Sequence, residues 1–166
     1  TPWRTKYMSK NLVAYFTASG MTEGLARTIS AATGGELYEI KPEVPYKNAD
    51  LDWKNKDSRS VKEMNDLSSR PGIVDGVLDM TQYDTIFLGF PMWFYLAPTI
   101  VNTFLEKNTF DGQKIVLFGT SRGSEIGKAA DGLKDSCPGA EIVAGKVFEG
   151  YESSDELQAW VDSLEF

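Results

Sequence analysis

The sequence predicts an α/β fold: a three-layer α/β/α sandwich on a five-stranded parallel sheet with strand order 2-1-3-4-5. Short, almost wholly apolar runs, typical of strands buried on both faces, alternate along the chain with segments whose apolar residues recur at helical spacing. Such an alternation implies right-handed crossovers with helices on both faces of the sheet. Five strands arranged in this way favour the order 2-1-3-4-5, which places a ligand at the carboxyl ends of the strands.

The predicted strands are short apolar runs that end at turn residues. The second strand is the weakest, because it only alternates in polarity before Pro42 and Pro45 end it. The predicted strands comprise residues 12–16, 36–40, 85–89, 115–118 and 142–148.

The predicted helices rest on apolar spacing together with start and stop signals. The first begins at Thr22 and stops before Gly34, and the last is capped by Ser153 with Glu156 three residues on. A proline-initiated helix over 71–78 is predicted despite its two weakening glycines. The remaining two helices are predicted over residues 97–107 and 126–136.

A polar stretch of about thirty residues, Lys41 to Arg70, separates the second strand from the proline-initiated helix. Connections are usually ~4–6 residues long, so a stretch of this length is either functional or locally folded. We expect an ordered segment, and we call residues 41–70 the excursion.

Composition limits the domain organisation and the classes of partner. A chain of 166 residues with 42% hydrophobic and 25% charged residues fits one globular domain. Residues 1–9 are expected to form an irregular N-terminal extension and residues 10–166 a single domain. The net charge of −7 argues against nucleic acid as a partner.

Other residue counts exclude further classes. One cysteine and no histidine rule out an internal disulfide and the usual zinc and copper ligand sets. The apolar stretch 86–100 is broken by glycine and proline, so no membrane span is expected. The chain opens on Thr1, and a cytoplasmic location is expected, with export by a signal outside the chain as the alternative.

The first loop, between the first strand and the first helix, has the composition of a phosphate-binding turn. Backbone N–H groups at a helix N-terminus bind anions, and nearby hydroxyls complete the shell. The glycine pattern lacks a following lysine and differs from the dinucleotide fingerprint, so a monophosphate fits best. The alternative is an ordinary turn with Thr22 as a helix cap. This loop comprises Thr17, Ala18, Ser19, Gly20, Met21 and Thr22.

The second loop, residues 90–98 after the third strand, is aromatic where a connection is normally polar. Exposed aromatic side chains at a strand's carboxyl end usually contact a planar ligand or a partner. The alternative is a lid over the core, which is the favoured interpretation for Phe90 taken alone. Trp93 and Tyr95 are the candidates for stacking, with Trp93 first because its face is larger. The loop reads Phe90-Pro91-Met92-Trp93-Phe94-Tyr95-Leu96-Ala97-Pro98.

The third loop matches the G-x-S-x-G turn of serine hydrolases. That mechanism normally needs a histidine or a substitute base, and the absence of histidine disfavours a hydrolase. The hydroxyls, amides and guanidinium of this loop can instead hydrogen-bond a heterocycle or cover its ring. The alternative is a glycine-rich connector with a solvated arginine. The loop reads Gly119-Thr120-Ser121-Arg122-Gly123-Ser124.

Together these loops resemble the flavodoxins, specifically a bacterial flavodoxin-like family with a short final strand and a long second connection. The similarity runs from about Lys10 to the C-terminus, and the excursion also looks like that family's extended connection. Its most specific elements are residues 15–20, 89–99 and 119–123, together with Pro45-Tyr46, Asp50-Leu51-Asp52-Trp53, Ser58-Arg59-Ser60 and Glu63-Met64-Asn65-Asp66 in the excursion.

The resemblance implies a flavodoxin-like fold and a bound FMN. Its phosphate would lie on residues 17–22 and its isoalloxazine ring between the second and third loops. Two residues depart from the family pattern: Met21 stands where an asparagine is expected, and Arg122 where a small residue is usual. The implied cofactor-binding residues are Thr17, Ala18, Ser19, Gly20, Met21, Thr22, Pro91, Met92, Trp93, Phe94, Tyr95, Thr120, Ser121, Arg122 and Gly123.

The predicted function is that of an FMN-binding electron-transfer protein or a small FMN-dependent oxidoreductase. The flavin performs the redox step, so no side chain is assigned a catalytic role. Electrons would pass to a redox partner protein or a small-molecule acceptor, and the acidic balance slightly favours a carrier that docks on basic partners. The alternative is a flavodoxin-like binding module that has lost its cofactor and binds a partner through the aromatic loop.

Overall fold

A computed structural model describes residues 10–165, and the expected extension at residues 1–9 lies outside them. The sheet has five parallel strands in the order β2-β1-β3-β4-β5, as predicted. The strands are β1 Asn11–Tyr15, β2 Glu36–Glu39, β3 Thr85–Pro91, β4 Lys114–Thr120 and β5 Glu141–Phe148.

Helices cover both faces of this sheet, which confirms the three-layer architecture. None of the helices within residues 10–165 has both the length and the apolar character needed to cross a membrane. The α-helices are α1 Met21–Thr33, α2 Arg59–Asn65, α3 Thr99–Glu106, α4 Gly127–Leu133 and α5 Ser154–Ser163. Short 3-10 turns occupy Asn48–Leu51, Met80–Gln82 and Lys134–Ser136.

The central strands are buried on both faces because their side chains alternate between two apolar layers. One layer joins β1, β3 and β4 to α1 and α5, and includes Val13, Phe87, Val116, Ile29 and Val161. The other joins the same strands to α3 and α4, and includes Leu12, Leu88, Leu117, Phe104 and Leu133. This packing fixes the strand ends, from which the three loops depart.

The predicted helix over residues 71–78 is wrong. Ile73 instead forms an isolated antiparallel bridge with Pro42. Asp75 and Gly76 have φ angles of 57° and 93°, which interrupt a right-handed helix. The helix on this crossover lies earlier, as α2 within the excursion.

Several predicted helix ends shift by one to three residues. The first helix begins at Met21 rather than Thr22, because Gly20 takes the cap position with a left-handed φ of 96°. Helix α3 begins at Thr99, directly after Pro98. Helix α4 ends at Leu133, and a 3-10 turn completes the predicted span to residue 136.

The excursion is ordered, as expected, and hydrogen bonds join its C-terminal end to α3. Arg70 donates two hydrogen bonds, of 2.8 and 3.0 Å, to the carboxylate of Glu106. The hydroxyls of Ser69 and Thr99 lie 2.8 Å apart and share a further hydrogen bond. These contacts bring the preceding part of the excursion alongside the strand ends.

Candidate functional site

A cavity of about 840 Å³ lies at the carboxyl ends of the strands. Residues 92–95 of the second loop and 121–124 of the third loop line it, because β3 and β4 are neighbours in the sheet. Leu51, Trp53 and Ser60 of the excursion complete its lining. The volume falls in the upper part of the range of ~300–1,000 Å³ typical of small-molecule sites.

The tip of the second loop is a strained hairpin that carries two exposed aromatic rings. Trp93 N–H donates to the Leu96 carbonyl at 2.9 Å and Leu96 N–H donates to the Trp93 carbonyl at 3.0 Å. The two residues between them, Phe94 and Tyr95, have left-handed φ angles of 53° and 69°. Two-residue hairpins of this kind favour Asn-Gly, and a left-handed residue other than glycine costs roughly 1–2 kcal/mol. Backbone strain at Phe94 and Tyr95, which are 48% and 59% exposed, points to a functional surface.

Trp93, by contrast, is partly withdrawn into the core. Its ring makes edge contacts with Phe16, at a centroid distance of 5.9 Å, and with Tyr46, at 5.6 Å. Tyr95 has its ring near one cation, since Lys128 Nζ lies 5.6 Å from the ring centroid. Tyr95 is 59% exposed and Trp93 only partly exposed, so the Tyr95 ring is the more accessible of the two.

Three residues of the excursion, Tyr46, Arg59 and Glu63, form a clamp behind Trp93. The Tyr46 hydroxyl donates to Glu63 Oε1 at 2.5 Å, and Arg59 Nε donates to Glu63 Oε2 at 2.9 Å. The Arg59 guanidinium carbon lies 3.7 Å from the Tyr46 ring centroid. Burial, followed by the hydrogen bond to Glu63, raises the pKa of Tyr46 far above its usual value. Tyr46 therefore remains a hydrogen-bond donor at ordinary pH and fixes the excursion against the second loop.

The third loop presents hydroxyls and one guanidinium to the cavity. Ser121 Oγ donates to Ser124 Oγ at 2.9 Å, so its partner is another hydroxyl and not a base that could activate it. Arg122 Nη2 donates to the hydroxyl of Tyr151 at 3.1 Å. That hydrogen bond, with a smaller contribution from Glu149, raises the pKa of Arg122. Thr120, the last residue of β4, directly precedes this group and is buried.

The first loop turns around Gly20, whose N–H donates to Thr17 Oγ1 at 2.9 Å. Helix α1 begins at the next residue, so the N–H groups of its first turn have no partner within the helix. Ser19 and Gly20 are exposed, whereas the Thr22 side chain is only 1% exposed. The Thr22 and Thr120 hydroxyls lie 2.9 Å apart and share a hydrogen bond. Thr17 and Ser19 are thus the hydroxyls that this loop presents to a ligand.

The first loop borders a different cavity from the other two loops. Thr17 and Ala18 line a space of about 470 Å³ together with Tyr46. The edge contact between Tyr46 and Trp93 lies between this space and the larger cavity. Met21 packs toward the turn after β5, where a Cβ on Gly150 would lie 2.4 Å from Met21 Cε. Pro91, the last residue of β3, supports the second loop from the sheet.

The sequence-based site omits part of the cavity wall. Leu51, Trp53 and Ser60 line the cavity although they lie about thirty to forty residues before the second loop. Ser124 lines it as well. A tryptophan between Asp52 and Lys54 in a polar segment is the one local signal that could have revealed this wall.

Comparison with known families identifies the family of this chain. A family model described as Flavodoxin matches residues 10–164. The chain belongs to the flavodoxin family. No curated protein matches this flavodoxin.

Solved structures agree with this assignment. A candidate flavoprotein from Bacteroides uniformis is 40% identical with a TM-score of 0.88, covering 93% of this chain and 99% of its own. A candidate flavoprotein from Bacteroides eggerthii is 45% identical with a TM-score of 0.85, covering 93% and 96%. A flavoprotein from Lactobacillus acidophilus in complex with FMN shares the fold at 21% identity, with a TM-score of 0.68 and coverage of 92% and 99%.

Proposed function

We propose that this flavodoxin binds FMN non-covalently and uses it to transfer electrons. The observation that carries the proposal is the cavity of about 840 Å³ between the second and third loops, with two strained, exposed aromatic rings at its edge. The FMN complex of the Lactobacillus acidophilus flavoprotein, which has the same fold, supports the choice of cofactor.

The cavity has the chemistry that a flavin ring requires. A planar heterocycle with a polar edge is matched by aromatic side chains on one loop and by hydroxyls and amides on the other. Gly123 has a left-handed φ of 86°, and no atom lies within 4 Å of where its Cβ would be, so the backbone leaves space here. The residues present therefore fit the ring of FMN.

We assign the stacking role to Tyr95 rather than to Trp93. Trp93 is only partly exposed and packs against Phe16 and Tyr46, while Tyr95 is 59% exposed at the hairpin tip. Trp93 would then form a rigid wall that excludes water, backed by the clamp. Arg122 contributes a positive charge that favours any negative charge gained by the ligand on reduction.

The first loop has the groups to hold the phosphate. The hydroxyls of Thr17 and Ser19 and the free N–H groups at the start of α1 form an anion site, and the ribityl chain of FMN would connect it to the ring. Ser19→Ala is expected to weaken FMN binding by about 1–3 kcal/mol, because a hydrogen bond to a charged phosphate is lost. Ser163→Ala, on the last turn of α5, is the matched control and leaves affinity unchanged.

When bound, FMN supplies the redox chemistry, and the protein supplies binding, orientation and electrostatics. The test is to add FMN to apoprotein, record the visible spectrum, and then cycle the complex anaerobically between dithionite and ferricyanide. The proposal predicts a shifted flavin band and full recovery of the spectrum after each cycle. An unchanged spectrum of free FMN would favour the cofactor-free binding module instead.

A further inference from the structure

We infer that the cavity also holds a second ligand, a planar aromatic anion bound against Trp53 of the excursion. This inference rests on the proposed function, because it takes FMN to occupy the part of the cavity nearest the second and third loops. Two separate elements each bring an exposed aromatic ring to one cavity: Trp53 is 67% exposed and Tyr95 is 59% exposed.

The size of the cavity leaves room beside a flavin ring. Its volume is about 840 Å³, and the proposed phosphate site on the first loop lies outside it. Only the ring and the adjoining part of the ribityl chain of FMN would therefore occupy it. The inference places the wall that carries Trp53 beyond those two groups.

Trp53 is presented by a rigid turn rather than by a loose loop. The Asp52 carbonyl accepts hydrogen bonds from Asn55 N–H at 3.1 Å and from Ser58 Oγ at 2.8 Å. Ser58 N–H in turn donates to the Asn55 carbonyl at 3.0 Å. A turn whose backbone is held in this way loses little freedom when a ligand covers the Trp53 ring, and the exposed apolar face then gains a favourable contact.

The lining of the cavity carries a positive charge although the chain as a whole is acidic. The net charge of the chain is −7. Among the described residues that line the cavity, however, only Arg122 has a formal charge at neutral pH. Lys54 Nζ lies 5.5 Å from the Trp53 ring centroid, and Lys128 Nζ lies 5.6 Å from that of Tyr95. Both aromatic walls are thus flanked by a cation, which attracts an aromatic ligand of negative charge.

The test uses naphthalene-2-sulfonate, a redox-inert planar anion, titrated calorimetrically into the oxidised FMN complex. The affinity for FMN is measured first in every variant. Trp53→Ala is expected to retain wild-type FMN affinity and to bind the sulfonate about tenfold more weakly, whereas Trp53→Phe retains most of the affinity. Lys54→Ala weakens sulfonate binding severalfold, and Lys56→Ala, an exposed lysine two residues on, matches the wild type. The neutral analogue 2-naphthalenemethanol binds more weakly than the sulfonate, and high salt removes the difference.

Three results would overturn the inference while leaving FMN binding intact: no sulfonate binding to the FMN complex, equal binding by wild type and Trp53→Ala, or displacement of the sulfonate by FMN. A loss of FMN affinity in Trp53→Ala would also overturn it, because Trp53 would then belong to the flavin site. Failure of the wild type to bind FMN at all contradicts the proposed function and this inference with it.

Discussion

Replacing Phe94-Tyr95 with Asn-Gly is predicted to stabilise the fold and to weaken FMN binding. Both residues have left-handed φ angles, and the hairpin between Trp93 and Leu96 is closed by two backbone hydrogen bonds. Asn-Gly is the pair that such a hairpin prefers, so the substitution keeps the backbone and removes the strain. One of the two rings that are lost, that of Tyr95, is the ring that the proposed function stacks on the flavin.

The expected magnitudes follow from the geometry. Two left-handed residues cost roughly 1–2 kcal/mol each, and the substitution relieves most of that. The added glycine costs about 0.5–1 kcal/mol of chain entropy, and loss of the Lys128 contact with the Tyr95 ring costs about as much. The apoprotein should therefore gain about 1 kcal/mol in free energy of unfolding. Loss of ring stacking should weaken FMN binding roughly three- to tenfold.

Urea unfolding of the apoprotein, followed by tryptophan fluorescence, measures the first quantity, and calorimetric titration with FMN measures the second. Asp75→Gly is the matched control, because Asp75 has a left-handed φ of 57° and lies outside the cavity lining. It is predicted to change stability by no more than about 1 kcal/mol and to leave FMN affinity unchanged. A double variant that is less stable than the wild type would refute the strain argument. Unchanged FMN affinity would refute the role of the hairpin in binding.

Three further predictions concern charge and packing around the site. Arg122→Gly should lower the reduction potential of bound FMN, less so at high salt, as measured by redox titration at two ionic strengths; equal potentials would mean that Arg122 does not act on the flavin. Tyr46→Phe should lower the free energy of unfolding by about 1 kcal/mol, because the hydrogen bond to Glu63 is lost, and an unchanged urea midpoint would contradict this. The hydrogen bonds from Arg70 hold the pKa of Glu106 below its ordinary value of 4.5, so this contact stabilises the fold above about pH 4.5 and is lost as the pH falls through the lowered pKa. In Glu106→Gln, the free energy of unfolding measured in urea should therefore fall less steeply than in the wild type as the pH is lowered below about 4.5. The loss at pH 7 should stay below about 1 kcal/mol, because the side chains of Glu106 and Arg70 are 41% and 35% exposed. A decrease as steep as that of the wild type would contradict this prediction.

The sheet could be predicted because its signal is local. Each strand is a compact apolar run, and burial on both faces leaves few alternatives to a central parallel strand. The helix predicted over residues 71–78 failed because its apolar residues pack by long-range pairing. Ile73 pairs with Pro42, about thirty residues away, and Gly76 adopts a left-handed φ. The two glycines in that segment were the local evidence against a helix.

The candidate site could be predicted from the sequence only where the residues of a single loop are enough to indicate what that loop contributes. The aromatic second loop and the hydroxyl-rich third loop do line one cavity. The position of Trp93 depends instead on Tyr46 and Phe16, which come from distant parts of the chain, so its partial burial was not visible in the sequence. The contribution of Trp53 depends on the clamp that fixes the excursion, which is equally non-local. Thr22 was expected to present its hydroxyl to a phosphate, but a partner on β4 binds it.

The central claim is that this flavodoxin recognises FMN through both its ring and its phosphate. Calorimetric titration of the apoprotein with FMN and with riboflavin, which lacks the phosphate, tests this most directly. The first loop predicts that FMN binds at least about tenfold more tightly, since charge-assisted hydrogen bonds to the phosphate are made only by FMN. Equal affinities for the two flavins would contradict the phosphate site, and the absence of binding by either would contradict the proposed function.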